Sequence, residues 1–390
     1  MKNNKIFDAC NIYILLWVAG HVQGMFLTSS LVSLLFYIPF AAMTVYYIVK
    51  TITSFNPKGV MKVLCVFFAV LVMYGVFLLL LDNARGQDRK SFLMMLISSL
   101  GPVFPFYVFS KQGKLTEKRM LFWFFVFIVV ATLDFEVYRR KSILLLTTRD
   151  RMVEEITNNT AYHFAALLPF VFMLHKRKMV QYVSMAYLLY FVVVGMKRGA
   201  VLVSALLFLW FVYVSLKNSH GFKKTAILLL SIVLVSIGVK FIGYFYENSD
   251  YFQQRIESTV EGKSSGRDFV YSELWNHYLN NDNVLQLLFG EGAYHTENVT
   301  GHLKAHNDWL ELLIDCGLLG VILYFVYWIA FVKDWRRCRN NVMIYAMMGS
   351  CFIFTFCRTF FSMSFSDMPF YISMIMGYCF SKVGFSNEME

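Results

Sequence analysis

The feature that most constrains this chain is a succession of apolar stretches separated by short polar connections, at 9 to 26, 31 to 49, 61 to 81, 92 to 110, 119 to 137, 159 to 174, 179 to 195, 200 to 216, 225 to 246, 309 to 332, 341 to 362 and 367 to 381. A membrane span needs roughly 20 predominantly apolar residues. Lipid offers no partner for a bare peptide group, so such stretches cross as helices whose N–H and C=O groups satisfy one another. The pattern predicts an all-α polytopic membrane protein of about 12 transmembrane helices. Its 16% charged content, against roughly 25% in a soluble domain, argues against a soluble enzyme.

The chain carries 36 Lys and Arg against 25 Asp and Glu, a net charge of +11. In a membrane protein basic residues gather in short cytoplasmic loops. With a cytoplasmic N-terminus the inner connections hold Lys50, Lys58 and Lys62; Lys111, Lys114, Lys118 and Arg119; Lys176, Arg177 and Lys178; Lys217, Lys223 and Lys224; Lys333, Arg336, Arg337 and Arg339. Lys2, Lys5 and Lys382 lie at the two ends, and only Asp8, Glu117, Asp334, Glu388 and Glu390 oppose them. That face is +15, which leaves −4 for the rest. The basicity therefore reports topology, and nucleic acid is not an expected partner. Lys2 and Lys5 precede the first apolar run without a small-residue cleavage site, so this segment is expected to remain as the first span. The seven cysteines lie nearly all in or at the edges of apolar runs and suggest neither a disulfide framework nor a zinc site.

The expected organisation is helices 1 to 9 over 1–247, one long outer loop over 248–307, and helices 10 to 12 with a short cytoplasmic tail over 308–390. Pro102 and Pro105 should interrupt the fourth span. The basic residues off the inner face are the informative ones. Lys197 and Arg198 sit in the short turn before the eighth span, Arg267 in the long loop, and Arg358 near the outer end of the eleventh span.

Within the loop, Phe269, Val270, Leu274, Trp275 and Tyr278 recur at helical spacing after Ser265-Gly266-Arg267-Asp268, with Ser265 as the expected N-cap. Gly290-Glu291-Gly292 reads as a turn and lacks the context of a dinucleotide fingerprint. The loop ends at His306-Asn307-Asp308, where Asp308 and Glu311 form an expected capping pair. That would leave His306 just outside a helix N-terminus, whose positive end favours a neutral, proton-accepting imidazole.

These residues resemble the O-antigen ligase and O-antigen polymerase superfamily of bacterial membrane transferases. The resemblance covers roughly 180 to 330. It rests on Lys197-Arg198-Gly199-Ala200 opening a span, Ser265-Gly266-Arg267 followed by Trp275, Gly290-Glu291-Gly292, and His306-Asn307 followed by Leu310, Leu313, Gly317 and Gly320. One departure is Lys197, where the family more often has a small hydroxyl residue. The resemblance implies transfer of a glycan from undecaprenyl diphosphate to an acceptor sugar hydroxyl, inverting at C1, with no cofactor and no metal. It implies His306 as catalytic base, Arg198, Arg267 and Lys197 on the diphosphate, and Asn307, Trp275 and Arg358 in support. The implied partners are the lipid-linked donor, a glycan acceptor (a lipid-linked repeat unit or lipid A core), membrane lipids and a chain-length regulator protein. The implied location is the bacterial inner membrane, with both termini cytoplasmic and the site facing the periplasm.

The residues fit this chemistry independently. A diphosphate leaving group needs cations that pair with its oxygens, which guanidinium does bidentately. The attacking hydroxyl must lose a proton, which an imidazole accepts near neutral pH. His295, His302 and His306 do not have metal-site spacing. Asp250, Glu257, Glu261, Asp268, Glu273 and Glu291 are candidates for sugar hydroxyls, and Tyr251, Trp275 and Tyr294 for stacking on sugar rings. Taken singly, Arg198 also reads as a snorkelling interfacial cation, Arg267 as a solvated charge, and Arg358 as the partner of Asp367. Repeat-unit polymerase is the favoured activity, with ligase or protein O-oligosaccharyltransferase as alternatives. A twelve-helix transporter is the minor alternative, since charges within the spans are few, chiefly Asp134, Lys240 and Asp315, and the halves show no likeness.

Overall fold

A computed structural model describes residues 8–27, 30–80, 86–147, 157–248, 253–254, 256–257, 266–301 and 303–383. Among these, every regular element is a helix. Among the described residues, nine helices are long and apolar enough to cross a membrane. Three of the twelve expected spans fall short. The stretch 159 to 174 is a seven-residue α-helix, Ala161–Leu167, that tightens into 3₁₀ over Leu168–Leu174. Lys178–Val194 has 17 residues and Phe370–Lys382 has 13. Sequence hydropathy cannot distinguish an apolar stretch that faces lipid from one that is wrapped in protein. Phe370–Lys382 is of the second kind, with every residue from Phe370 to Ser381 buried.

The described residues fall into two compact units. The first comprises Met1–Thr116, Ser265–Met348 and Thr355–Glu390. Its centre pairs Phe370–Lys382 with the short helix Val103–Lys111, itself buried from Val103 to Ser110. Gly377 permits the approach, because a Cβ there would meet Phe106 and the Val103 carbonyl. Aromatic rings fill the space around it, with Phe106 and Phe370 centroids 5.1 Å apart and Trp17 and Phe370 stacked at 4.4 Å. As the prolines predict, the fourth apolar stretch breaks between Gly86–Ser98 and Val103–Lys111. The break is satisfied locally, since Ser99 Oγ donates to the Phe365 carbonyl at 2.8 Å and Ser373 Oγ to the Ser99 carbonyl at 3.1 Å.

The long helix Asp308–Arg337 organises the rest of this unit. It bends at Gly317, whose φ of 64° and ψ of −163° are not helical. A bend of this kind frees carbonyls, and buried carbonyls need donors. Glu291 N donates to the Ile314 carbonyl at 2.9 Å and Gly292 N to that of Asp315 at 3.0 Å. The Tyr74 hydroxyl donates to the Phe289 carbonyl and lies 3.5 Å from that of Cys316. The two backbones meet directly: a Cβ on Gly317 would collide with Leu288–Gly290, and one on Gly290 with Asp315 and Cys316. Gly290 and Gly317 both have positive φ, so glycine is required there twice over.

The second unit comprises Glu117–Ser264 and Gly349–Phe354. Its helices are Glu117–Thr147, Ala161–Leu167 with its 3₁₀ extension, Lys178–Val194, Arg198–Lys217 and Phe222–Asn248. Phe164 stacks on Phe191 at 4.5 Å. Large apolar side chains on the outer faces, such as Phe122, Val129, Leu209 and Leu229, are exposed, as lipid contact requires.

Gly317→Ala should destabilise the protein by at least the roughly 1–3 kcal/mol of a side chain held at positive φ, because backbone also blocks the Cβ. Gly24→Ala, in a helix with nothing within 4 Å of the added methyl, should leave stability unchanged or slightly raised. Thermal unfolding of purified protein checks both, and equal midpoints for the two variants would contradict the bend as described.

Candidate active site

The loop helix predicted from apolar spacing is present as Arg267–Leu279. Its N-cap is Gly266, at φ 82°, and makes no side-chain capping bond; Ser265, the expected cap, lies outside the described residues. Val270 and Leu274 bury one side of this helix against Ala305 and Ile314, with Tyr271, Tyr278, Val299 and Leu310 around them. Apolar burial of this size stabilises by about 25 cal/mol per Å² removed from water, which explains how a short polar helix is held on the kinked one.

Arg267 is half-buried in the first turn. Tyr271, one turn further on, shares its face. The Tyr271 hydroxyl lies within hydrogen-bond reach of the His306 carbonyl at 3.4 Å and the Phe360 carbonyl at 3.2 Å. Burial pushes its pKa above the ordinary phenol value, with Arg267 and a hydrogen bond to Asn307 pulling the other way. The fold thus brings Arg267, Tyr271, His306 and Asn307 to one corner of the first unit.

The corner itself departs from the expected capping pair. Asn307 is the N-cap, accepting from Trp309 N at 3.0 Å and Leu310 N at 3.3 Å. Asp308 instead points inward and is fully buried. It accepts from the Tyr324 hydroxyl at 2.7 Å, Ser364 N at 3.0 Å and Phe365 N at 3.3 Å. A buried carboxylate is tolerated only with such a shell. His306, just outside the helix as expected, has φ 50°, a left-handed conformation that His adopts more readily than most residues. It is flanked by the buried Ala305 and the capping Asn307.

Asp315 performs a similar anchoring role beneath the loop. It accepts from Tyr294 N at 2.9 Å, and from Thr296 N and Oγ1 at 3.0 and 2.9 Å, fixing the start of the short helix His295–Val299. The sequence marked it only as a charge within a span. Arg358 is buried and its Nη2 donates to Asp367 Oδ2 at 2.8 Å, the pairing read from sequence. Trp275 is exposed on the loop helix and stacks on Tyr278 at 6.3 Å. Asp250, Tyr251, Glu261 and His302 lie outside the described residues.

Arg198 belongs to the second unit. It opens the helix Arg198–Lys217 as predicted, with Lys197 in the N-cap position making no side-chain capping bond. The turn before it is fixed by buried Asn158, whose N donates to the Gly195 carbonyl at 2.8 Å and whose Nδ2 donates to the Phe135 carbonyl at 3.1 Å. Both cations are half-buried.

Residues 183–325 match the family model described as O-antigen ligase. That stretch, over which the chain is similar to this family, contains Arg198, Arg267, the Gly290–Gly317 contact and His306. No curated protein matches the chain.

Asp308→Ala would leave two backbone amides and a tyrosine hydroxyl without their acceptor, each at about 1–3 kcal/mol. Asn307→Ala removes one cap, at about 1 kcal/mol. Denaturant unfolding should therefore rank Asp308→Ala as the more damaging, and the reverse order would show that the carboxylate is not the anchor.

Proposed function

We propose, from the O-antigen ligase match over 183–325, that this protein transfers a glycan from undecaprenyl diphosphate to a sugar hydroxyl at the outer face of the bacterial inner membrane. The observation that carries the reading is the tie between the Arg267 helix and the His306 carbonyl through Tyr271. It joins a permanent cation and an imidazole on one corner.

In this reading the His306 imidazole accepts the proton of the acceptor hydroxyl as its oxygen attacks C1 of the donor sugar. The C1–O bond to the diphosphate breaks with inversion, and the leaving group carries away the bonding pair as a stable anion. Arg267 pairs with the diphosphate oxygens. Arg198, with Lys197 beside it, is assigned to the diphosphate on its sequence motif. Asn307 and Tyr271 act as positioning residues through His306, and exposed Trp275 offers a face to a sugar ring. Arg358 is assigned a supporting part, because its guanidinium is engaged by Asp367. The reading needs neither nucleotide sugar nor cofactor.

Repeat-unit polymerisation, with a chain-length regulator as partner, is the favoured form. Transfer to lipid A core is the second, favoured by the description of the matching family model. Complementation of a strain lacking the protein tests the assignment. At normal expression His306→Ala should lower activity by at least about the 10²-fold expected of a lost base, and Arg267→Ala by about the 10²-fold of a lost charge-stabilising donor, each depleting long surface glycans. Arg267→Lys, which keeps charge but not bidentate pairing, should fall between. Wild-type glycan length in the alanine strains would refute the assignment. Loss of a polymerase leaves single repeats on the acceptor, whereas loss of a ligase leaves long chains on the carrier.

A further inference from the structure

His277, Glu291 and His295 come from three separate elements of the first unit and converge on one point. His277 lies in the last turn of Arg267–Leu279, Glu291 in the turn above the Gly317 bend, and His295 at the start of His295–Val299. Glu291 Oε1 is 2.6 Å from His277 Nε2, and its Oε2 is 2.8 Å from His295 Nε2. The three ligand atoms all lie within 4.8 Å of one another. Asn281 Nδ2 donates to Glu291 Oε1 at 3.2 Å. The carboxylate stem is fixed from beneath, because Glu291 N and Gly292 N hold the carbonyls freed at the bend.

We propose that this trio is a binding site for a divalent transition cation of the zinc type. Two imidazoles and one carboxylate, each offering one atom, form a donor set suited to zinc with a fourth position open to water. Glu291 is the least exposed of the three, its side chain 11% accessible, while the histidines at 34% and 30% leave an entry path. An ionised carboxylate only accepts hydrogen bonds, so in the empty site both histidines must present Nε2–H to it. Metal binding needs a lone pair at each Nε2, so each ring would move its proton to Nδ1 through solvent. Burial holds the His295 pKa below the ordinary imidazole value, with the neighbouring His277 adding to that and Glu291 opposing it. Bonds of about 2.0–2.1 Å set tetrahedral ligand edges of about 3.3 Å, so the contacts of 2.6 and 2.8 Å would widen by roughly 0.5–0.7 Å.

His277 is ten residues from Arg267 on one helix, about 15 Å along its axis. The metal would therefore clamp the far end of that helix to the Gly290–Gly292 turn and take no part in the transfer step. It is independent of the proposed activity. Sequence spacing missed it, because the histidines it singled out were His295, His302 and His306, whereas the fold pairs His295 with His277 across a carboxylate.

The test uses the full-length protein in detergent, free of any affinity tag, stripped with chelator and then loaded with zinc chloride. Elemental analysis after gel filtration should give one zinc per chain, and the His277→Ala/His295→Ala variant should retain less than a tenth of that. X-ray absorption of the zinc-loaded wild type should show a nitrogen and oxygen shell with two imidazoles, which decides the matter even if the variant does not fold. No retained zinc, undiminished zinc in the folded variant, a sulfur shell from cysteine, or fewer than two imidazoles would each overturn the proposal and leave the trio as a hydrogen-bonded cluster.

Discussion

The contact of Gly290 with Gly317 is the constraint on which the rest of the first unit depends. A helix that bends at Gly317 exposes peptide carbonyls that a buried setting cannot leave bare. A turn that presents two backbone N–H groups at close range is the least bulky way to satisfy them. Only glycine at both positions lets the backbones approach. Because the turn carries Glu291 and leads into His295–Val299, the bend also sets the height of the loop above the helix.

From that contact the geometry propagates by specific anchors. Asp315 fixes the start of His295–Val299 just N-terminal to the bend, and Asp308 fixes Ser364 and Phe365 at the head of the same helix. Further down, Asp334 accepts from Val60 N at 2.6 Å and from Arg337 at 2.9 Å, tying the start of Gly59–Leu80 to it. All three carboxylates are buried. Each is costly alone and tolerable because backbone or side-chain donors surround it. His306 and Arg267 acquire their positions as a result, one beside the Asn307 cap and the other through the apolar seat of Val270 and Leu274.

Much of this is legible in the sequence, and the gaps have physical reasons. Apolar stretches locate the helices because lipid and protein interior both demand internally bonded backbone. They overstate the spans because Phe370–Lys382 is apolar for burial in protein, at 13 residues too short to cross by itself. Helical spacing finds Arg267–Leu279, and Lys197-Arg198 marks a true helix start. The capping of the His306 helix is misassigned by one residue, since Asn307 and Asp308 are both good N-cap residues and only the tertiary donors at Ser364 and Phe365 draw the aspartate inward. Tyr271 is missed because its partner, the His306 carbonyl, is 35 positions away and carries no side-chain signal. The His277–Glu291–His295 cluster is missed because only the fold brings the end of Arg267–Leu279 against the Gly290–Gly292 turn.

The central claim is that His306 takes a proton while a lipid diphosphate departs. Purified protein in vesicles containing an undecaprenyl-diphosphate-linked oligosaccharide and a sugar acceptor, without nucleotide sugar, tests it most directly through release of free undecaprenyl diphosphate. Release in step with glycan transfer is predicted, slowed at least about 10²-fold in folded His306→Ala protein. Release at the wild-type rate by that variant, or transfer only when a nucleotide sugar is supplied, would contradict it.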